Sequence, residues 1–300
     1  MALGRRAFWR GRKRRNIYAA YKRSCAGDLY GNGQRPGFAS ITSALVFVLD
    51  DPFGGNNETE GGFNFRTLGD VSMVMGYDGT PMSELTIPGT LGGLPVAAIW
   101  QAAFANNQLT SVTIPSGVTA IGAIAFENNE LTSIAIPSSV TSIGFNPFRN
   151  NPSLGSITVS QGNQHFRSID GVLYNRAGTA LLAWPGGKSP VNIPNTVTSI
   201  GHSAFWGNQL TSVIIPSNVT SIGAGAFSNN QLTNVIIPPS VTSIETNAFQ
   251  NNNPFLTSVT IPFASVADAD AAWGTAWRNQ MPAAFNNVDY EGWVFEPPSP

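Results

Sequence analysis

The sequence predicts a repeat solenoid that is mostly β and that ends in a short helix. Three observations carry this prediction. A pattern of 22 to 24 residues recurs along most of the 300-residue chain. Within each copy, apolar residues alternate with hydroxyl-bearing residues, which is the period of a strand with one buried side. Charged residues are only 11% of the chain, and Thr, Ser, Asn, Gly and Pro replace them, which favours short strands and turns over helices.

The repeat is clearest in residues 109–130, which read LTSVTIPSGVTAIGAIAFENNE, and close copies begin at positions 131, 210 and 232. Val112 and Ile114 are predicted to point inward from a strand. Pro115 ends that strand, because proline has no N–H to donate to a ladder of hydrogen bonds.

The second half of each copy returns the chain to its starting side. Val118 and Ile121 are predicted to point inward from the opposite wall, and Gly122 permits the turn that follows. One copy cannot bury its apolar side alone, so the copies must stack into a solenoid. The strand ends predict eight rungs in a right-handed coil with a parallel β-sheet and short turns or 3-10 elements. These rungs end at Ile87, Ile114, Ile136, Val159, Ile193, Ile215, Ile237 and Ile261.

Each copy also brings one phenyl ring inward, and the rings are predicted to stack as a structural spine, each contributing about 1.5–3 kcal/mol through burial. The rings are Phe104, Phe126, Phe148, Phe205, Phe227 and Phe249. An asparagine stands three residues after each ring. We interpret these amides as structural groups that satisfy turn N–H and C=O groups of neighbouring coils, in preference to ligand-binding groups. They are Asn107, Asn129, Asn151, Asn208, Asn230 and Asn252.

The recurring pattern L-x-x-V-x-I-P…V-T-S-I-G…A-F…N-N resembles that of the BspA-like leucine-rich-repeat surface proteins, over roughly residues 63–265. Residues 154–188 look like the irregular repeat of that family, in which Asp170-Gly171 replaces the Ala-Phe turn and a β-hairpin is inserted. Residues 63–104 look like its first coil with a leading hairpin. The resemblance implies a leucine-rich-repeat fold, an extracellular or cell-surface location, and a role in adhesion and protein binding.

Four parts are expected along the chain. Residues 1–50 form a basic tail that is disordered or serves targeting, and residues 51–62 form a Gly- and acid-rich linker. Residues 63–263 form the solenoid, and residues 264–300 form a helical cap with a disordered tail. The first 35 residues carry ten basic residues and one acidic residue. Such a tail could bind nucleic acid or an anionic membrane by charge alone, but nothing in the repeats supports nucleic-acid binding.

The expectation of export rests on the resemblance alone, because no clear signal peptide can be recognised in the basic tail. The apolar run at residues 41–49 is shorter than the ~20 residues that a membrane span needs. No A-x-A-like cleavage site follows it. Cys25 is the single cysteine, so no intramolecular disulfide is expected and stability must come from repetition and packing.

The sequence offers little for catalysis, and no metal or cofactor is predicted. His165 and His202 are the only histidines, and neither stands in a metal-ligand pair. The acids of the repeats occupy unrelated repeat positions, so stacking does not pair them. Asp268 and Asp270 are interpreted as acids at the start of a helix, in preference to a metal motif.

Partner contacts are predicted on the outward residues of the strands. The row just before the strand ends includes Thr113, Ala135, Thr158, Ile214 and Ile236, and Asn234 belongs to the adjacent row. Ile214 and Ile236 form an apolar pair on a polar surface, which is either a contact patch or simply two residues that favour strands.

One further aromatic residue stands outside the repeat pattern. Trp206 is expected either to pack over the inserted hairpin with Trp184 and Tyr174 or to anchor an interface.

The sequence therefore predicts a non-catalytic binding or adhesion module that presents a solenoid face to a protein or glycan on a cell or host surface. A passive structural stalk or surface-layer element is the main alternative. A glycan-active enzyme is a more remote alternative, because it would require clustered acids.

Overall fold

The computed structural model describes residues 58–80, 82–252, 255–273, 281 and 293–295. The predicted basic tail at residues 1–50 lies outside these ranges, as do residues 51–57 of the predicted linker and residues 296–300 of the predicted tail. In the described residues, helix α1 covers Val266–Trp273. The strands there are, in chain order, β1 (Glu58–Glu60), β2 (Phe63–Leu68), β3 (Val71–Tyr77), β4 (Glu84–Thr86), β5 (Thr90–Leu91), β6 (Leu94–Ile99), β7 (Ser111–Thr113), β8 (Ala120–Ile121), β9 (Ser133–Ile136), β10 (Ser142–Ile143), β11 (Ser156–Val159), β12 (Phe166–Ile169), β13 (Val172–Asn175), β14 (Ala180–Ala183), β15 (Ser199–Ile200), β16 (Ser221–Ile222), β17 (Asn234–Ile236), β18 (Ser243–Ile244), β19 (Ser258–Ile261) and β20 (Trp293–Phe295).

The predicted β-solenoid is confirmed. We number its coils 1 to 8, and they comprise the described residues in the ranges 84–108, 109–130, 131–153, 154–188, 189–209, 210–231 and 232–255 and the described residues from 256 onward. A typical coil has an Ile-Pro segment, then a Ser-Ile segment, and then a turn at an Ala-Phe corner, and we use these names for the equivalent positions of the other coils. The Ile-Pro segments of successive coils make up the Ile-Pro wall, and the Ser-Ile segments make up the Ser-Ile wall.

The Ile-Pro wall carries parallel strands in matching register, although they do not form one continuous sheet. Ile157 of β11 pairs with Ile134 of β9, and β4 pairs with β7 in the same way. Strands β17, β19 and β20 form a third group. The segments at 189–193 and 210–215 are not strands, although the sequence implied a rung at each. Pro190 explains the first interruption, because it has no N–H to donate in the middle of that rung.

The Ser-Ile wall is also a set of parallel strands, which the sequence did not indicate. Ile121 pairs with Ile99 in one sheet, and Ile222 pairs with Ile200 in another. Most of these strands are only two residues long, which is too short for an alternation of buried and exposed residues to be recognised in a sequence. They form because identical coils bring the same backbone groups together, as where Gly122 N donates to Ile99 O at 2.8 Å.

An antiparallel meander precedes the first coil. Strands β1, β2 and β3 are antiparallel, and β3 pairs in parallel with β6, so this meander continues the sheet of the first coil. Strand β1 lies inside the predicted linker at 51–62. Glu58 pairs with Phe65 there, which shows that backbone pairing outweighs the acidic composition of the segment.

The C-terminal end combines the predicted helix with a strand that the sequence did not predict. Trp273 of α1 donates from Nε1 to Val241 O at 2.9 Å, and its ring packs edge-on against Phe263. Val294 of β20 pairs with Thr260. The segment Trp-Val-Phe favours strands, and β19 would otherwise offer an open edge, which explains why the tail adds a rung here.

Seven interior rings rather than six form the spine, in two stacks of three and four, because coil 4 contributes Trp184 to the second stack. Phe104, Phe126 and Phe148 stack with centroid separations of 5.4 and 5.9 Å. Trp184 stacks on Phe205 at 5.3 Å, and the column continues at 5.0 and 5.2 Å through Phe227 and Phe249.

Ala183-Trp184 is therefore the Ala-Phe corner of coil 4. The expectation that Asp170-Gly171 replaces that corner is wrong. Those two residues instead form the turn between β12 and β13, both with positive φ.

Candidate functional site on the Ile-Pro wall

The outward residues of the Ile-Pro wall form the predicted exposed row. Thr113, Ala135 and Thr158 are exposed, whereas the residues preceding them along each strand are buried. Thr260 occupies the same position in coil 8. It is only 9% exposed, because its strand pairs with β20. Most of the row therefore presents small, uncharged groups to solvent.

The exposed row becomes apolar at coils 6 and 7. Ile214 is 85% exposed and Ile236 is 56% exposed, and they occupy the same repeat position of adjacent coils. Ile236 points outward because its neighbours Val235 and Ile237 fill the inward positions on either side of it. Asn234 is exposed two residues earlier on the same strand. An apolar pair of this kind, surrounded by polar groups, is a feature of contact surfaces.

Trp206 makes a contact that neither sequence-based interpretation included. Arg149 of coil 3 lies over its ring, with Cζ 3.9 Å from the ring centroid, which is a cation–π contact. The same guanidinium donates from Nε to Glu127 Oε1 at 2.6 Å and forms an ion pair with that carboxylate. One face of the indole is thus covered, and Trp184, its expected neighbour over the hairpin, lies in the spine.

Three titratable groups of the described residues have perturbed pKa values, and burial is the main cause of each. Burial raises the pKa of Glu127, although the nearby Arg149 charge and hydrogen bond oppose this rise. Burial lowers the pKa of His202, partly offset by Glu245. Burial, aided by Asp170, raises the pKa of Tyr174 to about 12.

These perturbed groups do not converge on a reaction centre. In the described residues, no three His, Cys, Asp or Glu side chains come together to hold a metal ion. Asp268 instead exchanges hydrogen bonds with Ser265 at the start of α1. Across the same ranges, no helix is long and apolar enough to pass through a bilayer.

Four of the six predicted asparagines are buried hubs between neighbouring coils. Asn129 donates from Nδ2 to the carbonyls of Phe104 and Phe126, and its Oδ1 accepts from Leu109 N at 3.0 Å. The same set of bonds recurs at Asn151, Asn230 and Asn252.

The other two are only half-buried, because their neighbouring coils are less regular. Asn107 donates to Ala105 O at 3.1 Å, and Asn208 donates to Trp184 O at 3.2 Å.

The sequence analysis did not single out the first asparagine of each Asn-Asn doublet. Asn128 donates to Asn106 Oδ1 at 3.1 Å, and Asn150 donates to Asn128 Oδ1 at 2.7 Å, which makes an exposed ladder of amides. All three residues have φ between 53° and 61°, a conformation that asparagine tolerates well. The recurring Asn-Asn doublet is the signal in the sequence that indicates this ladder.

The stacked coils, the inward rings and the amide hubs together define a leucine-rich-repeat solenoid. The family model for the BspA type leucine rich repeat region matches six copies, over residues 77–172 and 188–269. Because this match covers more than half of the chain, the protein belongs to that family, which confirms the resemblance seen in the sequence. A comparison with curated proteins finds no match.

Several solved structures are similar to this chain. A leucine-rich repeat protein from Eubacterium ventriosum shares 26% identity at a TM-score of 0.51, over 67% of this chain and 59% of that one. The chain thus spans less than two thirds of that relative. A leucine rich cell surface protein from Faecalibacterium prausnitzii shares 18% identity at a TM-score of 0.42, over 81% and 96% of the two chains. The pneumococcal vaccine antigen PcpA shares 17% identity at 0.41, over 69% and 82%.

Proposed function

We propose that this protein is a non-catalytic binding module that presents its Ile-Pro wall to a protein or glycan partner at the cell surface. The single observation that carries the proposal is the exposure of Ile214 and Ile236 side by side on a wall of small polar groups. Leaving such side chains in water gives up the free energy that burial against a partner would provide, about 1.5–3 kcal/mol for each fully covered side chain. The apolar character of this pair favours a protein surface as the partner.

Membership in the BspA-type family and the likeness to a protein called a cell surface protein support the proposed location. Catalysis is not part of the proposal, because Glu127, the one buried acid among the described residues, is occupied by its ion pair with Arg149. The binding role therefore rests on a surface rather than on a reaction centre.

We expect the double substitution Ile214→Lys with Ile236→Lys to weaken partner binding at least tenfold, because it places two charges on the apolar contact. The thermal stability should hardly change, since exposed substitutions usually alter the free energy of unfolding by less than about 0.5 kcal/mol. Saturable binding of the labelled protein to bacterial and host-cell surface extracts measures the first effect, and thermal melting measures the second.

The matched control is Thr220→Lys with Thr242→Lys, which adds the same charge to exposed residues of coils 6 and 7 but on the Ser-Ile wall. The control variant should bind like the unmodified protein. Equal binding by both double variants would remove the Ile-Pro wall from consideration as the contact surface.

A passive stalk is the second candidate, and the small uncharged residues Thr113, Ala135 and Thr158 favour it. A surface of this kind keeps a solenoid soluble without recognising a ligand. Consistent absence of saturable binding to either extract would favour the stalk over the binding module.

A further inference from the structure

Coil 4 is two residues too short at its Ala-Phe corner. Leu181 pairs with Ile200 of the next coil, and Trp184 stacks on Phe205. Coil 4 therefore has only Leu182 and Ala183 between the paired residue Leu181 and its ring, where coil 5 has the four residues 201–204 between Ile200 and Phe205. The neighbouring coil 3 also has four, residues 144–147, so the corner of coil 4 is recessed between two longer corners.

Side chains of coils 3 and 5 meet directly across this recess. The Phe145 ring lies 5.0 Å from the His202 ring, measured between centroids. Arg149 lies over Trp206 at 3.9 Å. Both pairs join coils 3 and 5, which are not adjacent in the stack. Their side chains can touch because the corner of coil 4 between them is shorter. We call the recess between these pairs the coil-4 notch.

The backbone pairing is also interrupted beside the coil-4 notch. Strands β10 of coil 3 and β14 of coil 4 belong to different sheets, whereas the corresponding strands of coils 2 and 3 are paired. Backbone groups of coil 3 at this corner thus face a neighbour of different length.

An unpaired amide donor belongs to Asn146, which follows Phe145 directly in the chain. Asn146 is 9% exposed, and its Nδ2 is buried without a hydrogen-bond partner; no other buried side-chain nitrogen or oxygen of the described residues is in this state. A buried donor left unpaired costs about 1–3 kcal/mol. The corner of coil 3 that borders the notch thus carries a donor that an acceptor from outside the chain could satisfy.

The charges around the coil-4 notch point to a neutral ligand. Glu127 neutralises Arg149, and burial lowers the pKa of His202, which keeps the imidazole uncharged near pH 7. Glu245 also lies near enough to His202 to act on its pKa, and its carboxylate accepts a hydrogen bond from Ala224 N at 3.1 Å. The other groups are an amide donor, a neutral imidazole and two aromatic rings. Apolar walls with a few placed polar groups are the usual composition of a small-molecule site.

We propose that the coil-4 notch binds a neutral hydroxylated ring, such as one sugar residue of a glycan, with a ligand oxygen accepting a hydrogen bond from Asn146 Nδ2. The amide lies below the surface, so the side chains of Phe145 and His202 separate to admit the ligand. The notch lies at the Ala-Phe corners, whereas Ile214 and Ile236 lie on the Ile-Pro wall. Failure of one site therefore leaves the other unaffected.

The test is a titration of the isotope-labelled full chain with N-acetylglucosamine and, separately, with glucose, at millimolar concentrations. We expect saturable shifts of the Asn146 side-chain amide and the Trp206 indole signals in nuclear magnetic resonance spectra. Asn146→Gly should weaken the binding at least tenfold, because it removes the donor while glycine still tolerates the φ of 51° at this position.

The matched control is Asn247→Gly, the same substitution at the equivalent corner position of coil 7, where φ is 58°. It should bind like the unmodified protein. If Asn146→Gly fails to fold, Asn146→Asp replaces the donor with an acceptor in a similar shape and should also lose binding. Absence of saturable shifts with both sugars, equal affinity in the Asn146 and Asn247 variants, or a lone ordered water on Nδ2 in sugar-soaked crystals would overturn the proposal.

Discussion

At the scale of single residues, the inward asparagines do the most to hold one coil to the next. One Asn129 side chain donates to carbonyls of two coils and accepts from a third backbone group, all in the buried interior. A glutamine would be one methylene too long for these partners, and an aspartate could not donate. This requirement explains why the residue recurs at the same repeat position.

We expect Asn129→Ala to lower the free energy of unfolding by about 3 kcal/mol or more, because it leaves buried carbonyl and N–H groups without partners. Urea unfolding followed by circular dichroism measures this loss. The adjacent Asn128→Gly is the control, and it should cost less than about 0.5 kcal/mol, because Asn128 is exposed and its φ of 53° suits glycine. Similar losses in the two variants would contradict the hub role.

At the scale of elements, coil 4 shows how the solenoid accommodates an irregular unit. Its strands β12, β13 and β14 form an antiparallel meander, yet β14 returns to parallel pairing with β15. Trp184 then fills the ring position with a larger side chain, and its Nε1 donates to Lys188 O at 3.1 Å. The meander is therefore inserted within a coil that still contributes to the spine.

The spine position of Trp184 can be tested by truncation. We expect Trp184→Phe to cost less than about 1.5 kcal/mol, because a phenyl ring occupies this position in the other coils. Trp184→Ala should cost about 3–5 kcal/mol, because it leaves a cavity against Phe205. Chemical unfolding of the two variants gives both values, and an alanine variant as stable as the phenylalanine variant would show that the ring is not part of the core.

At the scale of the whole solenoid, coil 4 separates two hydrophobic cores. Leu173 and Ala183 belong to the core that extends toward β2, whereas Tyr174 and Trp184 belong to the core that extends toward α1. Because the coils contact mainly their neighbours, stability should be transmitted within each core more strongly than between the two.

We expect Ile121→Ala and Ile222→Ala to destabilise different halves of the solenoid. Both side chains are fully buried at the same repeat position, one in each core, so each serves as the control for the other. Hydrogen exchange measured by mass spectrometry should show faster exchange mainly in coils 1–3 for the first variant and mainly in coils 5–7 for the second. A uniform rise in exchange along the chain in both variants would contradict two separable cores.

The repeat alone indicated the coil length, the inward residues and the family, because in a solenoid every coil repeats the same contacts. Val112, Ile121 and Phe126 could each be assigned to the interior from their position in one copy. The exposure of Ile214 and Ile236 followed in the same way. Only the binding role of that pair needs a partner to test it.

Only the tertiary structure decided the contacts between coils of different length. The sequence of coil 4 does not reveal that Ala183-Trp184 takes the corner, that the corner is two residues short, or that Arg149 reaches Trp206 across it. Nor does it reveal that β20 returns to pair with β19. A local period reports which side of a strand is buried, whereas these contacts depend on the register between segments that are distant in the chain, and only the folded stack brings those segments together.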